Sequence, residues 1–132
     1  MTTWNLIGMK HHVLICNGGS CMRKGGEEVT LAIREEIAML ELDGIVHTTR
    51  TRCNGRCQDA CVVIVYPEGV WYNGVTPEKG RELVRRHLRD GEWLEETITY
   101  RYERTKGLMM SKQSTAPLGV SKLCKATGGT KV

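Results

Sequence analysis

Four cysteines fall as two close pairs, Cys16-x4-Cys21 and Cys53-x3-Cys57, with 31 residues between the pairs. Each pair lies in a glycine-bearing stretch, Cys16-Asn-Gly-Gly-Ser-Cys21 and Cys53-Asn-Gly-Arg-Cys57. Two loops that each bring two thiolates to one point make a tetrathiolate pocket. A [2Fe–2S] cluster and a zinc ion both suit such a pocket. The first would make the protein a one-electron carrier. The second would make it a non-enzymatic partner-binding module with a structural four-cysteine zinc site. Thiol–disulfide exchange is disfavoured, because its motif is Cys-x2-Cys at the head of a helix and neither pair has that spacing. Rieske ligation needs two histidines and two cysteines. His11, His12, His47 and His87 do not alternate with the cysteines in that pattern. His11 and His12 read as solvated, and His87 as packed on a helix face.

Zinc ligand pairs use similarly short spacings, but most small zinc modules have little other core, whereas this chain reads as two helices and four strands around an aliphatic core. A flat di-iron core would take two sulfurs at each iron, with loops approaching from separate sides. Gly18, Gly19 and Gly55 allow close backbone approach, and backbone N–H groups can then donate to the sulfurs and help set the potential. Arg23, Lys24, Arg50, Arg52 and Arg56 all lie within three residues of these cysteines, and Asp59 is the only acid nearby in sequence. Positive charge favours the more negative, reduced form of such a centre. As a group these cations predict docking on an acidic partner surface, with electrostatic steering of encounter.

The elements around the pairs must carry both to one place. His12-Val-Leu-Ile15 reads as a first strand that runs into the first cysteine loop. A helix follows, with Glu27 and Glu28 at its positive end and Val29, Ile33, Ile37 and Leu40 as its buried stripe. Asp43-Gly44 reads as its stop. The β-branched run from Ile45 to Thr51 reads as a second strand leading into the second loop. Strand–helix–strand predicts a parallel pair, so both loops would emerge at the same sheet edge. Val62-Val-Ile-Val65 is a strand covered on both faces, Pro67-Glu-Gly69 a turn, and Val70-Trp-Tyr72 the return strand. Thr76-Pro77-Glu78 opens a second helix, with Thr as N-cap and Pro in the first turn; Leu83, Val84, His87 and Leu88 line its inner face. Lys79, Arg81, Arg85, Arg86 and Arg89 form its solvent face, not a nucleic-acid patch, since no aromatics interleave with them. The order is β-α-β-β-β-α with a mixed sheet, and Trp93 to Tyr102 adds one further helical or extended piece.

At 132 residues, 40% hydrophobic and 26% charged, the chain has the bulk of one globular domain. The net charge of +4 is unevenly held. Residues 104–132 carry six basic groups and no acid, which leaves 13 basic and 15 acidic groups in residues 1–103. The division expected is therefore a domain over 1–103 and a basic, mobile tail over 104–132, in which Gly, Ser, Thr and Lys dominate from Lys106 onward. Cys124 stands alone in that tail as a free thiol. The longest apolar run, Cys61 to Tyr66, is too short to cross a bilayer, and the N-terminus shows no secretory pattern. A cytoplasmic protein bearing six cysteines points to metal or redox chemistry over structural disulfides.

The cysteine spacing, the helix between the pairs, the segment Val62-Val-Ile-Val-Tyr-Pro-Glu-Gly-Val-Trp-Tyr72 and the helix opening Val75-Thr-Pro-Glu together resemble the thioredoxin-like [2Fe–2S] ferredoxins. The same domain occurs in the small flavin-neighbouring subunit of NADH dehydrogenases. The resemblance covers roughly residues 10–92. It implies an α/β thioredoxin-like fold and a [2Fe–2S] cluster held by Cys16, Cys21, Cys53 and Cys57. It also implies a homodimer and a non-catalytic role passing electrons between a reductase and an acceptor enzyme. Some similar proteins are encoded with cobalamin-biosynthesis enzymes, which makes cobalt reduction in corrin synthesis the acceptor step implied. Where the family often has Gly-Pro, this chain has Ala60-Cys61, which puts a fifth thiol near the site.

Overall fold

A computed structural model describes residues 3–123 of the chain. Six strands form one sheet in the order β2-β1-β3-β4-β5-β6. The strand β1 (His11–Cys16) pairs in parallel with β2 (Val46–Thr51), and every other neighbouring pair is antiparallel. The mixed α/β, thioredoxin-like arrangement read from the sequence is therefore the fold of this chain.

Between β1 and β2 lie a short helix α1 (Gly19–Arg23) and the longer α2 (Gly26–Met39). Val29, Ile33 and Ile37 of α2 are buried against the sheet, where Val13, Ile15, Val63 and Val65 meet them in one aliphatic core. α2 ends earlier than Asp43-Gly44. Glu41 takes the left-handed conformation (φ 57°) that the sequence reading assigned to a glycine. The hydrogen bonds from Leu42 N–H to Ile37 O (2.9 Å) and from Ile45 N–H to Leu42 O (3.0 Å) close that turn ahead of the glycine.

The second half is a hairpin, β3 (Val63–Tyr66) and β4 (Val70–Tyr72), followed by α3 (Pro77–Leu83). Thr76 caps α3 as its sequence predicts, its hydroxyl accepting from Lys79 N–H at 3.1 Å. Past Leu83 the helix widens into π-type turns over Val84–Arg89. His87 lies on this wider segment and is buried: the Tyr72 hydroxyl is 2.7 Å from its Nδ1, Glu68 is 3.3 Å from its Nε2, and Trp93 stacks on its ring. Burial holds its pKa below the ordinary histidine value, with Glu68 pulling the other way.

The sheet continues past the boundary expected at residue 103. β5 (Ile98–Glu103) and β6 (Gly107–Met110) form a hairpin on the β4 edge, with Gly107 at φ 79° in its turn. Residues 107–110 are a strand of the sheet, reached through a turn over 104–106, where the sequence reading placed a tail. No residue of β6 is buried, so the strand is held by main-chain pairing with β5. Cys124, Lys125 and Lys131 lie outside the described residues.

Candidate metal centre

Parallel pairing of β1 and β2 sets Cys16 opposite Thr51, so both strands run out at one edge. The segments that follow them carry the four cysteines. Cys16 ends β1, Cys21 sits within α1, Cys53 follows β2, and Cys57 opens a single 3₁₀ turn. All four line one recess, together with Gly18, Ser20, Asn54 and Arg56.

The helix α1 was not legible in the sequence, where two glycines and a serine read as loop. Gly18 explains how the two segments come so close. A Cβ there would stand 2.8 Å from the backbone Cα and N of Cys53, nearer than such atoms approach. Gly55 serves differently: it turns with φ 83°, and its N–H donates to Cys53 Sγ at 3.3 Å. Gly19 has no backbone within van der Waals reach of a Cβ, so close approach is not its role.

The recess is asymmetric. Cys16 and Cys21 are buried, whereas Cys53 and Cys57 are exposed. The sulfurs also associate by pairs. Cys53 Sγ and Cys57 Sγ are 3.3 Å apart. Cys16 and Cys21 are close enough to shift each other's ionisation. Burial works to raise Cys16, but hydrogen bonds from the Gly18 backbone, the Cys21 thiol and Asn54 outweigh it and leave Cys16 below the ordinary thiol value. Cys21 is pushed up to about 12, by burial first and then by the neighbouring Cys16. Cys57 is raised by its hydrogen bond with Cys53, against a lowering contribution from Ser20. The metal-free chain thus sheds protons unevenly around the recess, and a metal that binds thiolates must displace the rest.

Among the described residues, no three or more His, Cys, Asp or Glu side chains converge so as to hold a metal ion. A di-iron core asks for two sulfurs at each end, and two thiol pairs around one recess fit that donor requirement. Cys61 stays apart from the recess. It is buried, and its thiol donates to the carbonyls of Cys21 and Lys24, both at 3.4 Å.

The cations around the site are less free than their sequence positions imply. Arg50 makes a two-pronged contact with Glu27 of α2, at 3.1 and 3.0 Å. Arg56 pairs with Asp59 at 2.6 Å. Arg23 donates to Ser20 Oγ at 3.2 Å. Among the described residues Arg23, Lys24 and Arg52 make no ion pair. The cationic face of the second helix is also engaged: Arg81 and Arg85 both reach Glu36 of α2, and Arg86 reaches Glu82.

A thioredoxin-like sheet with two thiol pairs around one recess fits an iron–sulfur electron-transfer protein. The chain belongs to the thioredoxin-like [2Fe-2S] ferredoxin family, whose model matches residues 4–88. It is 55% identical over 123 residues to a provisionally named 2Fe-2S ferredoxin of Priestia megaterium, covering 93% of this chain and 95% of that one. It is 36% identical to a 2Fe-2S ferredoxin of Clostridium pasteurianum, covering 66% of this chain and 93% of the other. A solved thioredoxin-like [2Fe-2S] ferredoxin of Aquifex aeolicus superposes with a TM-score of 0.68 at 35% identity, covering 72% of this chain and 94% of that one. The part carrying β5, β6 and the segment after them lies beyond the residues that the family model matches. Among the described residues no helix is long and apolar enough to cross a membrane.

Proposed function

We propose that Cys16, Cys21, Cys53 and Cys57 hold a single [2Fe–2S] cluster, and that the protein carries one electron at a time between a reductase and an acceptor enzyme. The observation that carries this reading is the recess in which two thiol pairs, 31 residues apart in sequence, come together. When bound, the cluster supplies a reversible one-electron couple. With all-thiolate ligation its potential is expected on the order of −400 to −200 mV. The residues of the chain do the rest. Cys16 and Cys21 would hold the cluster from the buried side, Cys53 and Cys57 from the exposed side, and Gly55 N–H donates to the Cys53 sulfur.

Anaerobic purification with iron and sulfide counts tests the ligand set. About two irons and two sulfides per chain are expected, with an EPR signal after dithionite reduction. Cys57→Ser should alter that signal or lose iron. A colourless protein holding one zinc, or a Cys57→Ser protein with unchanged iron and spectrum, would overturn the assignment. The homodimer that the family resemblance implies is carried in this reading and is measured by sedimentation of the loaded protein. For the acceptor, the same resemblance points to a cobalt(II) corrin that takes one electron from the reduced protein. Single-turnover mixing of the two is the measurement.

A further inference from the structure

Arg56 stands one residue before Cys57, and its side chain is engaged on every edge. Its Nε donates to Asp59 Oδ2 at 2.6 Å. Its Nη1 donates to the Leu118 carbonyl at 3.0 Å, and its Nη2 to the Pro117 carbonyl. The guanidinium also lies over the Tyr100 ring, 5.1 Å from its centroid. The Arg56 side chain is 10% exposed and that of Asp59 only 3%, although the cysteines on either side of Arg56 are exposed.

The carbonyls that Arg56 holds belong to the segment leaving β6. Ser111 N–H donates to Thr99 O at 2.8 Å, which keeps the start of that segment on β5. It then returns across the second cysteine loop, where Pro117 and Gly119 share a groove with Gly55, Cys57, Gln58 and Asp59. At Gly119 a Cβ would stand 3.2 Å from Arg56 Nη1, so the passage is close.

A nearly dry arginine–aspartate pair contributes little stability of its own, because both charges have given up water. Its value is geometric. The planar guanidinium presents donors at fixed angles. One edge is taken by the carboxylate of its own loop, the other by two successive carbonyls of a segment 61 residues away. A buried carboxylate beside a negatively charged centre is also tolerated only with its counter-charge fixed alongside.

We propose that Arg56 is a positioning residue that fastens residues 111–119 onto the loop bearing Cys53 and Cys57, so that this segment forms one wall of the cluster mouth. The clamp stands on its own contacts; its consequence for the cluster rests on the proposal that Cys53 and Cys57 are ligands. The C-terminal extension then shields one flank of the exposed sulfurs.

Hydrogen exchange of the full chain with its cluster, compared among the parent, Arg56→Lys and Arg56→Gln, tests this. Lysine keeps the charge and can pair with Asp59. It cannot hold two carbonyls and a carboxylate in one plane. Exchange over 111–119 should quicken about tenfold or more in both variants, since charge-assisted hydrogen bonds are lost. Iron loss to excess chelator should quicken with it, while exchange in α2 stays as in the parent. If Arg56→Gln does not fold, Arg56→Lys decides. Exchange over 111–119 within about twofold of the parent in Arg56→Lys would overturn the clamp. Faster exchange with unchanged iron loss would overturn the wall. A parent protein without a cluster would sink the ligand assignment, and the exchange comparison would still judge the clamp.

Discussion

Cys61 lies beside the recess without lining it. Its thiol is committed to two main-chain carbonyls at the junction of α1 and α2, and burial raises its pKa above the ordinary value. Its sulfur does not line the recess that Cys16, Cys21, Cys53 and Cys57 share. Cys61→Ala should therefore leave iron and sulfide per chain unchanged and lower stability by about 1 kcal/mol, from the buried volume and hydrogen bonds removed. Loss of iron in that variant would make Cys61 a ligand after all. The four recess cysteines were legible because their spacing is itself a chemical statement. The binding of Arg56 was not legible, since its carbonyl partners lie 61 and 62 residues along and carbonyls carry no residue-type signal.

At the scale of elements, α2 and α3 pack closely through a glycine. A Cβ on Gly80 would lie 2.9 Å from Ile33 Cγ1, in a side chain with no exposed surface. Gly80→Ala gains about 1 kcal/mol of helix propensity, but overpacking costs about 1–3 kcal/mol. The variant should be less stable by up to about 2 kcal/mol in a urea titration; a more stable variant would show that α3 can slide. The same two helices are joined by Glu36, whose carboxylate is held below its usual range first by the hydrogen bond from Arg85, with burial opposing it and Arg81 adding to it. A depressed folded value means that Glu36 stabilises fully above a pH of about 4.3, and the effect fades as pH falls through the lowered value. Glu36→Gln should melt a few degrees lower at neutral pH, with the gap closing in acid. A gap that persists in acid would assign the loss to packing. Both strands of the βαβ unit, the hairpin and the Thr76 cap were readable because periodicity and turn residues report local choices. The π-type turns over Val84–Arg89 and the β5–β6 hairpin were not, because pairing at a sheet edge and widening of a helix end are decided by distant neighbours.

For the whole molecule, charge bears on encounter with a partner. Arg50 and Arg56 are paired within the fold, so docking on an acidic partner, which we propose, would rest on Arg23, Lys24 and Arg52. Electron transfer to an acidic partner should slow as salt rises, more gently than five free cations would require. Stopped-flow rates across ionic strength measure it, and a flat profile would remove the acidic docking face. The recess has one pair of sulfurs sunk in the core and the other at the surface. An electron crossing to a partner and a molecule of dioxygen arriving from solvent would meet the same two atoms. Any change that hastens exchange by baring that outlet should shorten the protein's lifetime in air, so speed and durability are set against each other at a single rim.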